Sequence, residues 1–169
     1  MPLAKGPAAI VASGQQFKTA FPDVKGSLQL VLVNGANVAA LSVLNGTQFT
    51  TTTGAPIQAH GGGVIKVGPY YYWFGENRNP NSTFLAVSCY RSTDLKNWEF
   101  RNNVLTANSS AELNPANIER PKVVYNSNTG RYVMWMHWEN GVHYGEARAA
   151  VASSATVDGN YTYHGSFRP

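Results

Sequence analysis

Apolar positions in this chain fall into short runs broken by glycine, proline and asparagine. From Ile57 onward the runs alternate in the two-residue rhythm of half-buried strands. Gly61-Gly62-Gly63 leads into a strand over Val64–Val67, Gly68-Pro69 turns the chain, and Tyr70-Tyr71-Tyr72-Trp73-Phe74 makes an aromatic second strand. A loop rich in Asn and Pro (76–83) precedes a third alternating strand, Phe84–Tyr90. Ser92–Trp98 reads as a turn that ends on a tryptophan, with a short fourth strand after it. The later half repeats the order. Pro121–Tyr125 is a strand, Asn126–Gly130 a turn and Tyr132–Trp138 an aromatic strand. Asn140-Gly141 opens a loop, Ala147–Ala152 is a small-residue strand, and Ser153–Asn160 is a turn ending on Tyr161.

Four short antiparallel strands that recur after about 60 residues describe a β-propeller blade; an antiparallel sandwich is the alternative with similar strand spacing. The predicted fold is therefore all-β, with about two propeller blades over residues 57–169. Upstream, the apolar runs of Leu28–Leu44 are broken by Asn34-Gly35, a hairpin dipeptide, and predict a two-strand element. Thr50–Thr53 reads as a polar linker ending at Gly54 and Pro56, which places a boundary at 56/57 and leaves 1–56 without an assigned role. Propellers close with roughly 4–8 blades. Two blades leave faces and edges uncovered, so the chain reads as the front part of a longer protein whose C-terminal blades are missing.

Composition narrows the function without naming it. Charged residues make up 13% and aromatics 12%, with 16 Gly and 9 Pro, which is a turn-rich, strand-leaning balance. The net charge of +4 comes from scattered Lys and Arg without a basic block, so no nucleic-acid partner is expected. No apolar run reaches the length of a membrane span, and Ala8–Ala12 is too brief for a signal-peptide core. Cys89, the lone cysteine, excludes an internal disulfide and sits in a strand as a small hydrophobe. Asn-x-Ser/Thr sequons begin at Asn45, Asn81, Asn108 and Asn160. No His/Cys/Asp group has metal spacing, and neither a phosphate loop nor a Gly-x-Ser-x-Gly elbow occurs, so no cofactor is expected.

The inner strands of a propeller line its axis, so residues leading into them converge on one pocket. In the first blade these are Gln58, His60 and the glycines; in the second, Asn117, Glu119 and Arg120. Glu76 and Glu139 end the second strands. Glu119-Arg120, adjacent and just before Pro121 in a charge-poor chain, is the strongest single site signal, with a solvated ion pair as its plain alternative. Carboxylates, amides, a guanidinium and many aromatic rings suit a sugar, whose hydroxyls need donors and acceptors while its apolar face stacks on a ring. His60 reads equally as a pocket residue or as a partner for turn backbone, and His137 as a core histidine. Asp94 and Asp158 read as turn residues, and Glu99 and Glu112 as surface.

Four stretches carry a family resemblance: Ile57–Gly63, Trp73–Arg78, Ser92–Trp98 and Asn117–Val123, continued by Tyr132–Glu139 and Asn140–Ser154. Together they resemble glycoside hydrolase family 43, in its exo-β-1,3-galactanase branch, over 57–169. The resemblance implies a five-bladed propeller that removes a terminal β-1,3-linked galactose from a plant-type polysaccharide with inversion, in an extracellular setting. It implies sugar-holding roles for Glu76, Glu119 and Tyr144, with Gln58, His60 and Arg120 as further pocket candidates and Arg120 as the cation beside Glu119. Inversion needs an acid and a base about 6.5–9.5 Å apart. The family's usual base, an Asp leading into the first blade, is replaced here by Gln58-Ala59-His60, as in the galactanase branch, so the base stays unassigned. The acid and the Asp that tunes it are expected beyond Pro169, which makes the chain inactive by itself. A non-catalytic carbohydrate-binding propeller module, or a decayed gene fragment, is the alternative.

Overall fold

The computed structural model describes residues 46–169 and, before them, the backbone of two strands at 28–34 and 37–43. Residues 1–27, with the Ala8–Ala12 patch, and the sequon at Asn45 lie outside the described residues. The chain forms two compact units, Met1–Phe49 and Thr50–Pro169. In the first, β1 (Leu28–Asn34) pairs antiparallel with β2 (Asn37–Val43), and the ladder runs from Leu28↔Val43 to Asn34↔Asn37. The pair lies within the Leu28–Leu44 stretch that the sequence reads as a two-strand element.

The second unit contains two four-stranded antiparallel meanders. One runs β3 (His60–Val67), β4 (Tyr70–Arg78), β5 (Phe84–Ser92), β6 (Glu99–Thr106); the other runs β7 (Asn117–Asn126), β8 (Arg131–Glu139), β9 (Arg148–Ser154), β10 (Thr162–Phe167). Each sheet follows chain order from its first strand outward, the layout of a propeller blade, so the unit is an incomplete propeller of two blades. Two short 3-10 turns, Ala107–Ser109 and Ala111–Leu113, carry the chain between them.

The strand period decides which side chains meet. In β8, Met134, Met136 and Trp138 are buried, while Trp135 between them is exposed. The buried set packs against Tyr72, Phe74, Val87, Cys89 and Leu105 of the first sheet, with Ile118 and Leu113, in one core between the blades. Cys89 is buried there, where desolvation pushes its thiol far up, as a packing residue requires. A smaller cluster on the other face of the first sheet joins Ala59, Tyr90 and Trp98 to Ile57, Tyr71, Trp73 and Leu95. The turn before Trp98 is set by Ser92 and Asp94: Asp94 Oδ1 accepts the N–H of Lys96 and Asn97, and Ser92 Oγ accepts those of Asp94 and Leu95. Asp94 is therefore a turn residue, as its position in the sequence suggests. On the second sheet Val124, Trp135 and Phe167 remain exposed, and the two rings meet edge to face at 6.3 Å.

The two inner strands extend further back than the alternation alone predicts, to His60 and to Asn117. The reason is a bulge in each. Between His60 and Gly63 three residue steps of β3 oppose two of β4, and between Glu119 and Lys122 three steps of β7 oppose two of β8. The extra residue breaks the period of two that a sequence reading relies on. Gly61 and Arg120 occupy the same place in the two bulges, both left-handed, at φ 57° and 51°. Glycine adopts that conformation freely, and arginine does not. Arg120→Gly should accordingly raise stability by about 0.5 to 1 kcal/mol, read as a higher urea midpoint. A lower midpoint would mean that the Arg120 side chain supplies packing that outweighs its backbone strain.

Candidate functional site

The site lies where the inner strands of the two sheets meet. Lys122 Nζ, on β7, donates to the carbonyls of Gly61 and Gly62 on β3, both at 2.8 Å. Gly63 leaves room for the lysine stem, and Gly62 for the neighbouring backbone of β4. A Cβ on Gly62 would lie 2.0 Å from the Phe74 carbonyl oxygen, and one on Gly63 would lie 2.9 Å from Lys122 Cδ. A Cβ on Gly61 would stand 3.0 Å from Glu76 Oε1.

Beyond the bulges the two blades present the same pairing in opposite order. His60 on the inner strand faces Glu76 in the first sheet; Glu119 on the inner strand faces His137 in the second. Two residues further along each second strand, on the same face, stand Arg78 and Glu139. Arg78 donates to Glu76 Oε2 from Nε (2.9 Å) and Nη2 (2.5 Å), and Nη2 also reaches Glu119 Oε1 at 2.9 Å. The Tyr144 hydroxyl donates to that same Glu119 Oε1 at 2.7 Å. One guanidinium thus bridges a carboxylate from each blade. Glu76 is buried and Glu119 nearly so, while Tyr144 is 58% exposed at the rim. Glu76 Oε1 and Glu119 Oε2 make no hydrogen bond among the described residues, which leaves one acceptor oxygen on each carboxylate.

The electrostatics follow from these contacts. Burial works against the Glu119 carboxylate, but the Tyr144 hydroxyl, Arg78 and the nearby His137 outweigh it and hold the carboxyl below the usual glutamate range. Its contact with Glu119, and then burial, push the Tyr144 phenol up, and the Glu76 bond raises Arg78. A general acid needs the reverse, a carboxyl kept protonated toward neutral pH. The cluster is built to accept hydrogen bonds.

The residues singled out from sequence divide as follows. Glu76, Glu119 and Tyr144 come together. Gln58 and His60 adjoin them, with Gln58 Oε1 3.3 Å from His60 Nε2 and the Gln58 N–H held by the Tyr90 hydroxyl at 2.9 Å. Arg120 does not join: it is exposed, and the guanidinium on Glu119 is that of Arg78. The sequence reading missed Arg78, although strand alternation could have found it, since Glu76 and Arg78 sit two apart on one strand. It also treats His137 as a bystander. His137 Nε2 lies 2.7 Å from Glu139 Oε1, and its ring meets Tyr144 edge to face at 6.4 Å. Glu112, read as surface, bonds Ser166 through its carboxylate and Trp138 Nε1 through its carbonyl. Among the described residues no group of three or more His, Cys, Asp or Glu is placed to hold a metal ion, and no helix is long and apolar enough to cross a membrane.

No protein-family model matches the chain, and no curated protein is significantly similar to it. Solved structures are. An exo-β-1,3-galactanase from Clostridium thermocellum is 64% identical, with a TM-score of 0.74, over 75% of this chain and 28% of that one. An exo-β-1,3-galactanase from Phanerochaete chrysosporium, solved with β-1,3-galactotriose, is 45% identical with a TM-score of 0.69, over 73% of this chain and 29% of that one. A family 43 β-1,3-galactosidase solved with galactodeoxynojirimycin is 43% identical with a TM-score of 0.66, over 72% of this chain and 37% of that one. The chain therefore spans 28% to 37% of the length of these enzymes.

Proposed function

The chain belongs to glycoside hydrolase family 43, and on that premise we propose that Glu76, Arg78, Glu119 and Tyr144 hold the terminal galactose of a β-1,3-galactan. The reaction served is exo-hydrolysis with inversion. The observation that carries this reading is the shared guanidinium: it holds two carboxylates from different blades in place, each with one acceptor oxygen left for a sugar hydroxyl. The exposed Tyr144 ring offers an apolar face beside them. Gln58 and His60 stand beside them as further hydrogen-bonding groups. Arg120 has the weakest place in this reading, because its side chain makes no bond to the cluster.

In this reading the proton donor and its tuning Asp belong to other blades, and the base is left unassigned. Polymeric substrates are met outside the cell, so the reading carries an extracellular setting with it. The lowered Glu119 carboxyl also favours binding over proton transfer at that residue, which keeps a purely carbohydrate-binding module as the second reading.

One titration tests the proposal. Galactose and β-1,3-galactobiose should perturb the amide resonances around Glu76, Glu119 and Tyr144, and Glu119→Gln should weaken galactose binding roughly tenfold. Binding unchanged in that variant would remove Glu119 from the site. Incubation of the same chain with β-1,3-galactan should release no galactose. Release would show that these blades contain the acid after all.

A further inference from the structure

We propose that Glu139 is a positioning residue of this site, which sets the Tyr144 hydroxyl on Glu119 by fastening the loop that carries it. The structural part stands on contacts alone; its effect on sugar rests on the galactose reading above. Tyr144 sits in the segment 140–147 between β8 and β9, outside any strand. Glu139 ends β8 just before that segment and is buried. Its Oε2 accepts the N–H of Glu146 at 2.8 Å, and its Oε1 accepts that of Ala147 at 3.0 Å. The carboxylate at the start of the loop therefore grips the backbone at its end, closing the loop on itself.

The grip matters because Ala147 is left-handed, at φ 48°, a conformation that a non-glycine residue keeps only when its surroundings impose it. A second route links Glu139 to Tyr144 through His137, whose Nε2 meets Glu139 Oε1 and whose ring edge meets the tyrosine. Asn140 braces the near side by accepting the N–H of Val142 and His143. Each oxygen of Glu139 is thus engaged by the protein, unlike those of Glu76 and Glu119, and none is left for a ligand. Burial opposes the charge on Glu139, but His137 and the two N–H donors outweigh it and hold the carboxyl below the usual glutamate range.

The experiment labels the chain with 13C-tyrosine and follows the Tyr144 phenol, whose titration is raised by Glu119. In Glu139→Gln the Tyr144 resonance should move toward its position in Glu119→Gln, and its titration should fall toward that of a free tyrosine. An unmoved Tyr144 signal overturns the proposal. On the binding side, Tyr144→Phe and Glu139→Gln should each weaken galactose roughly tenfold, and the double variant should be no weaker than Tyr144→Phe alone. Multiplying effects would show that Glu139 acts by another route. If Tyr144→Phe binds galactose as the wild type does, the galactose reading fails, while the tyrosine signal still decides the anchoring. Should Glu139→Gln not fold, amide exchange of the wild type decides. The N–H of Glu146 and Ala147 should exchange roughly tenfold or more slowly than that of Tyr144, and equal rates overturn the proposal.

Discussion

Arg78→Met should unfold at a lower urea concentration than the wild type, by roughly 2 kcal/mol at pH 7. The substitution keeps an unbranched apolar stem and removes the guanidinium. Glu76 and Glu119 then face each other across the blades with no cation between them, both largely out of water. The exposed third of Arg78 limits the effect to below that of a fully buried pair. The effect has a pH signature. In the wild type the folded Glu119 carboxyl lies below its unfolded value, so its contribution is complete above the ordinary glutamate range and is lost as pH falls through the folded value. In the variant the two unpaired carboxylates repel, and protonating one relieves them. The gap between the proteins should therefore narrow as pH falls below about 4.3, the ordinary glutamate value. A gap that stays constant down to pH 3 would assign the loss to packing. All four tryptophans, Trp73, Trp98, Trp135 and Trp138, lie in the Thr50–Pro169 unit, so their fluorescence follows it alone. Arg78→Lys should recover only part of the loss, because an ammonium cannot fork between Glu76 and Glu119 as a guanidinium does.

Gly75→Ala should cost still more, roughly 3 kcal/mol or the folded state itself. A Cβ at that position would lie 2.1 to 2.3 Å from the carbonyl carbon, Cα and carbonyl oxygen of Ala59. Backbone stands on both sides of the clash, so no rotamer change relieves it. Ala59 would have to lift off β4, taking Gln58 and His60 with it and opening the cluster around Trp73, Tyr90 and Trp98. Gly54→Ala is the control. A Cβ there meets nothing within 4 Å, and only its φ of 85° opposes the change, for a loss of about 1 kcal/mol. Equal losses in the two variants would mean that the contact with Ala59 relaxes without cost.

Much of the architecture was readable in advance because it depends on local pattern. The aromatic strands, the turns at Gly68-Pro69 and Asn126–Gly130 and the doubled order of elements all follow from side-chain period and turn chemistry. The site was readable only in part. Adjacency made Arg120 look like the partner of Glu119, yet adjacent strand residues point to opposite faces unless a bulge intervenes. The bulge that does intervene puts Arg120 in a left-handed conformation outside the cluster. Arg78 lies 41 residues from Glu119, and only the meeting of the two inner strands joins them. Glu139 was visible as the end of a strand, but its grip on the Glu146 and Ala147 N–H groups is backbone geometry, which no side-chain pattern encodes.

The matching bulges bear on how such a site can change over time. What sets positions 60 and 119 opposite Glu76 and His137 is a count of residues, one more on the inner strand than on its neighbour. The identity of those two side chains plays no part in aiming them. Point substitution can therefore rewrite the chemistry at either address, and this chain carries histidine at one and glutamate at the other. Loss of a single residue would abolish the address itself. Lineages that keep this scaffold should vary in letters at these positions far more readily than in length.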